Sequence, residues 1–314
     1  MYCDQRAITS QEGISPEDVK PIVEKHLATI NRDGAVIEAG FFGGTFTALD
    51  KTVQTKFLEP LQEFMANNSI SGIRLSTRPD CISEDVLTFL KGYGVKTIEL
   101  GVQSMSDTVL AAVKRGYTAE DVRRSSESIV RRGFTLVHQM MVGLPESTFD
   151  DEYCTVKEAA LLGAGEIRIY PTIVVKNTEL AKSWEEGKYH PLPEGEAVKR
   201  CVKLMLFLNE KNIRVIRCGL HPSENLISHE GYLAGPFHPA FRQKVDSGIF
   251  ALVMEKILAS SGEVTSLAIN PEDECAFYGY GGSNVAALDK IFSNKKRVIV
   301  KDTSVARGVI NIKW

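Results

Sequence analysis

Gly43, Gly44 and Thr45 stand directly behind an apolar run, Ala35-Val36-Ile37-Glu38-Ala39-Gly40-Phe41-Phe42. Two glycines let a ligand approach the backbone, and the threonine hydroxyl can both donate and accept. Alone, a Gly-Gly pair after a strand reads more readily as a tight turn than as a site. The pattern recurs, however. Ser76, Thr77, Arg78 and Asp80 follow one apolar stretch, and Glu99, Gln103 and Ser104 another. His138, Gln139 and Met141, then Tyr170 and Lys176, complete the series. Taken singly, several have structural readings: Ser104 and Asp107 suit helix starts, and Arg78 suits a surface pair with Asp80. As a ring at the carboxyl ends of parallel strands, they suit one small polar ligand. Cys3, Cys81, Cys154, Cys201, Cys218 and Cys275 are scattered without a close pair, which excludes a secreted disulfide framework. Each reads singly as a small core residue, with Cys154 and Cys201 on apolar faces of expected helices.

Strands and helices must position these groups. Hydrophobic spacing predicts strands over 36–42, 72–77, 96–102, 134–142, 166–173 and 213–216. Between and around them it predicts helices over 16–30, 51–65, 84–92, 107–113, 119–132, 149–162, 180–187 and 196–212. Strands alternating with helices imply right-handed βαβ units and a parallel sheet. The rhythm fails after Gly219. The remainder of the chain has a helix over 240–260 and strand-like runs at 297–300 and 309–312, an appended subdomain or a barrel closure.

The chain has 314 residues, 43% apolar and 25% charged, ordinary for a soluble globular protein. A net charge of −3 excludes a whole-molecule field drawing the protein to nucleic acid. One dense basic run, Lys114, Arg115, Arg123, Arg124, Arg131 and Arg132, could meet RNA phosphates. It could equally be a solvated helix face, diluted by Glu120, Asp121 and Glu127. Gly279 to Asn284 lacks a preceding strand and a Lys-Ser/Thr, so it reads as a helix-start turn rather than a phosphate loop. Phe237 to Arg242 reads either as a substrate-facing segment or as a packed turn. No apolar run reaches bilayer length and no secretory signal is evident, so a cytoplasmic location without membrane partners is expected.

Four runs in register narrow the reading: Gly43-Gly44-Thr45-Phe46-Thr47, Ser76-Thr77-Arg78-Pro79-Asp80, Glu99-Leu100-Gly101-Val102-Gln103-Ser104 and Met140-Met141-Val142-Gly143-Leu144-Pro145. Together with Lys114-Arg115-Gly116-Tyr117-Thr118 and Arg168-Ile169-Tyr170-Pro171-Thr172, this pattern resembles the radical S-adenosylmethionine (SAM) superfamily. Within it, the pattern is most similar to the catalytic subunit of elongator, which acts on tRNA wobble uridine, and its shorter bacterial relatives. The likeness implies an α/β fold, a partial (β/α)6 TIM-like barrel over 1–219, with a small mixed α/β extension over 220–314. It implies a [4Fe–4S] cluster held by a C-x3-C-x2-C loop, with SAM on the open iron site. A reductant such as flavodoxin or ferredoxin would supply one electron, cleaving SAM to methionine and a 5′-deoxyadenosyl radical that abstracts hydrogen from substrate.

By the same resemblance, Cys3 matches the third cluster cysteine. Gly43, Gly44 and Thr45 match the segment meeting the SAM amino group, Gln103 a residue near the ribose, and Arg115 one facing the SAM carboxylate. Gly143 matches the glycine beside adenine. Ser76 and Gln139 stand where porphyrinogen-oxidase relatives carry acids. The first barrel strand and the first two cluster cysteines have no counterpart, so an N-terminally truncated chain is expected. Three functions stay open: a radical SAM enzyme acting in tRNA modification, one acting on a small molecule as in oxygen-independent porphyrinogen oxidation, or a non-catalytic barrel serving as a binding module.

Overall fold

A computed structural model describes residues 1–2, 13–31, 34–260, 262–293 and 297–314. In chain order the barrel strands are β1 (Glu38–Phe41), β2 (Gly72–Thr77), β3 (Val95–Gln103), β4 (Thr135–Val142) and β5 (Glu166–Pro171). A short β6 (Val174–Val175) precedes β7 (Arg214–Cys218), and β8 (Tyr232–Ala234) comes next. Strands β1 to β5 and β7 form one parallel sheet in sequential order, each neighbour reached through a helical crossover. The six strands expected from spacing are these six. The expected strand over 166–173 divides: β5 stops at Pro171, and β6 turns away to pair antiparallel with β8. Beyond them β9 (Ser266–Ile269) pairs parallel with β10 (Ile299–Lys301) and antiparallel with β11 (Ile310–Lys313).

The helices start where side chains satisfy their first amides. Thr118 and Asp121 exchange hydrogen bonds in a capping box ahead of Ala119–Arg131, and Thr148 and Asp151 do the same ahead of Phe149–Leu161. Ser83 and Thr178 cap Glu84–Gly92 and Glu179–Glu185 through their hydroxyls. Each cap contributes about 1 kcal/mol and fixes where a crossover leaves its loop.

The sheet curls strongly. Flat strands lie about 4.8 Å apart, which would separate β1 from β5 by about 19 Å. Yet the Arg168 guanidinium of β5 sits 5.3 Å from the ring of Phe42, the residue after β1. Arg74 of β2 likewise reaches Glu166 of β5 at 3.0 Å. The convex face is dry: Ile73, Leu75, Ile98, Leu100, Leu136, Met140, Ile167 and Ile169 are almost fully buried under the helices. The concave face carries Arg74, Ser76, Gln139, Arg168 and Tyr170, all only half-buried. Closed barrels fill their interior with packed apolar side chains. Here the concavity is a polar, solvent-reached cleft.

A second apolar cluster joins Phe250, Met254 and Ile257 to Leu267, Ile269, Phe277 and Leu288. The helix Phe241–Leu258 serves both cores, because its first half places Phe241, Val245 and Ile249 in the barrel core. No helix among the described residues is long and apolar enough to cross a membrane.

The cysteine expectation is corrected in part. Cys201 and Cys218 are buried, but Cys154 and Cys275 are exposed and Cys81 is intermediate. In Phe149–Leu161 the inward positions fall to Glu152, Thr155, Val156 and Ala159, which turns Cys154 outward. Burying Glu152 runs against its polarity, so sequence pattern alone selects the wrong face. Arg200, 3.0 Å from its carboxylate, makes that burial tolerable. Cys3 lies outside the described residues.

Candidate functional site

The loop after β1 is held from beneath and open above. Thr47, buried, shares a hydroxyl hydrogen bond with Thr77 and donates to the Cys81 carbonyl at 2.8 Å, tying this loop to the one after β2. Phe41, Phe46 and Phe57 pack as an aromatic triad under it. Gly43 has φ of +98°, a conformation that penalises any side chain. A Cβ added at Gly43 or Gly44 would meet nothing within 4 Å. The Thr45 hydroxyl has no hydrogen-bond partner among the described residues. Backbone and hydroxyl therefore face open space.

The end of β3 supplies the second wall. A bulge between Gly101 and Gln103 interrupts the pairing with β4, and Gln103 takes the left-handed conformation with φ of +65°. A bulge re-aims a side chain, and a non-glycine residue in this region is strained. Gln103 is buried, its amide nitrogen 3.0 Å from where a Gly101 Cβ would be, and its side chain makes no hydrogen bond among the described residues.

Arg115 approaches the same point. Its Nη2 lies 3.5 Å from the Gly101 Cβ position. The helix Asp107–Ala112 ends in a turn through Lys114 and Gly116, both at positive φ, which brings Arg115 back over β3. Arg115 Nε donates to the Tyr117 hydroxyl at 2.9 Å, and that hydroxyl donates to the Gly101 carbonyl. The guanidinium lies 5.3 Å from the Tyr117 ring centre and 5.7 Å from that of Tyr2. Burial pushes the Tyr117 phenol up, so it stays protonated as a donor. Arg115 has no carboxylate partner among the described residues. A half-buried guanidinium resting on two aromatic rings, with its outer N–H groups uncommitted, is suited to an anionic ligand group.

Other expected residues are already committed. Gln139 donates to Ser76 at 3.0 Å and to Glu99 at 2.8 Å, so the two positions where porphyrinogen-oxidase relatives carry acids bond to each other. Glu99, fully buried, lies below the strand ends and not in the ring expected for it. It accepts from Arg168 at 2.8 and 3.1 Å and from Arg74 at 3.0 Å. Arg74 also meets Glu38 and Glu166, and Arg214 meets Glu166. Burial works to raise the Glu166 carboxyl, but Arg214 and Arg74 outweigh it and hold it below the usual range. Gly143, at φ +79°, spends both backbone groups internally: its N–H donates to Glu152 at 2.7 Å, and its carbonyl accepts from Tyr189 at 2.6 Å. His138 points away from the cleft, against Ser126 at 2.9 Å. Ser104 accepts from the Ser106 amide, and Asp107 caps Ala119. Arg78 does pair with Asp80, at 2.6 Å, and also donates to the Arg115 carbonyl at 3.1 Å.

Tyr117, Tyr2 and Glu152 support the candidate site residues Arg115 and Gly143 and are not singled out by the sequence. Tyr117 lies inside one of the matching runs, two residues after Arg115, and an aromatic so near a loop arginine is the available signal. Glu152 offers none.

The basic run does not form a free patch. Lys114 pairs with Glu179, Arg123 with Glu158 and Glu120, Arg124 with Asp121, and Arg131 and Arg132 with Glu84. His238 is fixed by the Ala240 amide and Tyr280, which supports the packed-turn reading of that segment.

A radical SAM superfamily model matches residues 1–157, and a radical SAM C-terminal domain model matches residues 165–249. A tRNA uridine(34) acetyltransferase of Methanocaldococcus jannaschii is 28% identical over 183 residues, 52% of this chain and 34% of that protein. Elongator complex protein 3 of Drosophila melanogaster is 26% identical over 189 residues, 54% of this chain and 34% of that protein. The chain thus spans about a third of the length of these curated relatives. The solved archaeal Methanocaldococcus infernus Elp3, with an N-terminal deletion, superposes with a TM-score of 0.64 at 21% identity. It covers 77% of this chain and 61% of the other, a likeness of fold.

Proposed function

The chain belongs to the radical SAM superfamily, and from that premise we propose that its half-barrel binds SAM at the mouth of β1 and β3 and acts as a radical SAM enzyme in tRNA modification. The observation that carries the reading is the set of uncommitted groups at the carboxyl ends of β1 and β3: the open backbone at Gly43 and Gly44, the Thr45 hydroxyl, the Gln103 amide and the Arg115 guanidinium. These fit SAM. Carbonyls and a hydroxyl suit its amino group, an amide suits a ribose hydroxyl, and a guanidinium suits its carboxylate. Gly143 would flank the adenine by shape, since its N–H and carbonyl are already bonded. A [4Fe–4S] cluster, when bound, supplies the electron that cleaves SAM. Among the described residues no group of three or more His, Cys, Asp or Glu could hold a metal. What these residues themselves do is hold and orient the cofactor and keep Arg115 partly out of water.

Two substitutions test the site by binding alone, using calorimetric titration with SAM. Arg115→Gln should weaken binding about tenfold, the order expected for a lost charge-assisted hydrogen bond. Gly44→Ala adds a methyl into space the protein leaves empty, so folding stability should hold while SAM affinity falls. If Gly44→Ala bound SAM as well as the parent chain, the ligand would not lie against this loop and the reading would fail. The tRNA assignment is supported by the names of the relatives. Filter binding of tRNA across salt concentration checks it, affinity falling steeply as salt rises.

The pairing of the basic run favours a second reading, a small-molecule substrate, because most cations of that run are already paired with carboxylates. Salt-independent binding, or none, in the same titration would select it.

A further inference from the structure

Arg217 lies on β7, at the opposite edge of the sheet from the loop Gly43–Thr45, and on the concave face. It is in direct register with Arg168 of β5, so the two guanidinium-bearing residues stand side by side facing the cleft. Like charges directly opposite on neighbouring strands are unfavourable unless something offsets them. Three other cleft arginines are offset: Arg74 and Arg168 meet Glu99, and Arg214 meets Glu166. Arg217 makes no ion pair or hydrogen bond among the described residues, although it is half-buried. The Tyr170 phenol, two residues along β5 from Arg168, interacts electrostatically with both guanidinium groups. Burial pushes that phenol up while both arginines pull it down, and on balance it stays above its ordinary value, a protonated donor. Arg168 uses its Nε and Nη2 on Glu99 and also hydrogen-bonds the Tyr170 phenol. Arg217 thus presents uncommitted donors toward the cleft at the mouth of β5 and β7, beside the Tyr170 phenol and the Arg168 guanidinium, with no acceptor among the described residues to receive them.

The geometry points to an anion subsite: the substrate presents a phosphate or carboxylate group to Arg217, with Tyr170 and Arg168 beside it. This rests on the SAM reading in placing substrate, rather than cofactor, at this edge. The cofactor groups are those at the ends of β1 and β3, and the anion is received on β5 and β7; because the sheet curls to bring Arg168 within 5.3 Å of the Phe42 ring, both open onto the same cleft. Planar, forked donors suit either oxyanion, and the two are separated by experiment.

The test uses the whole chain and two probes, inorganic phosphate and acetate, titrated at constant ionic strength with binding followed by calorimetry and by thermal midpoint. The parent chain should bind phosphate saturably and gain midpoint with it. Arg217→Gln should weaken that affinity about tenfold or more, and Arg217→Lys should retain part of it. Without ligand, Arg217→Gln should be no less stable than the parent, because it removes an unpaired cation, so lost binding cannot be ascribed to misfolding. Tighter binding of acetate than of phosphate assigns a carboxylate substrate, and the reverse a phosphorylated one. Arg115→Gln serves as the control, since Arg115 is also an uncommitted cation among the described residues of the barrel mouth. Equal phosphate affinity in Arg217→Gln and parent, or loss in Arg115→Gln alone, overturns the inference. SAM titration of the same samples keeps the two readings apart: absent SAM binding with intact phosphate binding fails the cofactor assignment and leaves the anion subsite standing.

Discussion

Arg115 and Glu99 show one sheet using charge in opposite ways. Arg115 is left with its outer face free, which costs solvation and is tolerated because two aromatic rings support it. Glu99 has no free face at all: two arginines and Gln139 surround a carboxylate with no solvent exposure. A buried pair of this kind adds little net stability but is costly to break. Glu99→Ala should therefore lower stability by about 3 kcal/mol, read as a lower urea midpoint at unchanged slope. Adding Arg168→Met should recover much of the loss, because the stranded cation is what makes the single change costly. A double variant no more stable than Glu99→Ala would mean that packing, and not the uncompensated charge, sets the penalty. The sequence shows Glu99 and Arg168 as polar residues on apolar strands. It cannot show that positions 69 residues apart meet, and so Glu99 reads as a ligand contact when it is a floor.

At the scale of the element, β4 sets consecutive residues to opposite tasks. Gln139 faces the cleft, while His138 is sealed under Ala119–Arg131 with Ser126 as its hydrogen-bond partner among the described residues. Strand identity was legible because apolar residues alternate or run unbroken over each segment. Helix starts were legible from Ser83 and Thr118, while the Thr148 cap emerges only with the structure. What alternation does not say is which face is wet. In a closed barrel both faces are dry, and only the curl of an open sheet makes Arg74, Gln139 and Tyr170 line a cleft. Nor does it foresee the bulge at Gln103, which depends on the neighbouring strand. Burial holds the His138 imidazole down, to about 4, so it is neutral in the folded chain. The unfolded chain takes up the proton first, near its ordinary value of about 6.5. The contribution is present above that value and is lost as pH falls toward 4. Between pH 7 and pH 5 it amounts to about 2 kcal/mol. His138→Gln, which keeps a partner for Ser126, should lose about that much less stability than the parent over the same interval. Identical pH profiles for the two chains would show that His138 is protonated within the fold.

For the whole molecule, the question is whether the two apolar cores are one cooperative unit. A division near Gly219 is what the failing strand–helix rhythm suggests, but the helix Phe241–Leu258 runs through both cores without a break. Its Ile249 packs on the barrel and its neighbour Phe250 on the second cluster, against Phe277 at a ring separation of 5.9 Å. To unfold the second cluster alone, the chain would have to melt half of a continuous helix. It would also have to expose Phe250, Met254 and Ile257 while the other half stayed docked. Partial opening of that kind is costly, so the two cores should unfold together. The chain carries two tryptophans, one reporting each region. Trp184 packs with the cluster at the barrel mouth, and Trp314 closes on Gly262 beside β11. In urea, Trp184→Phe leaves a probe of the C-terminal sheet, and Trp314→Phe leaves a probe of the barrel. The continuous helix requires that their fluorescence midpoints coincide with each other and with the far-ultraviolet dichroism of the parent. An earlier midpoint for the Trp314 signal, with dichroism falling in two steps, would establish the second cluster as a separately folding unit. It would also move the physical boundary into the helix at Ile249 and Phe250, some thirty residues beyond the point where the strand–helix rhythm stops.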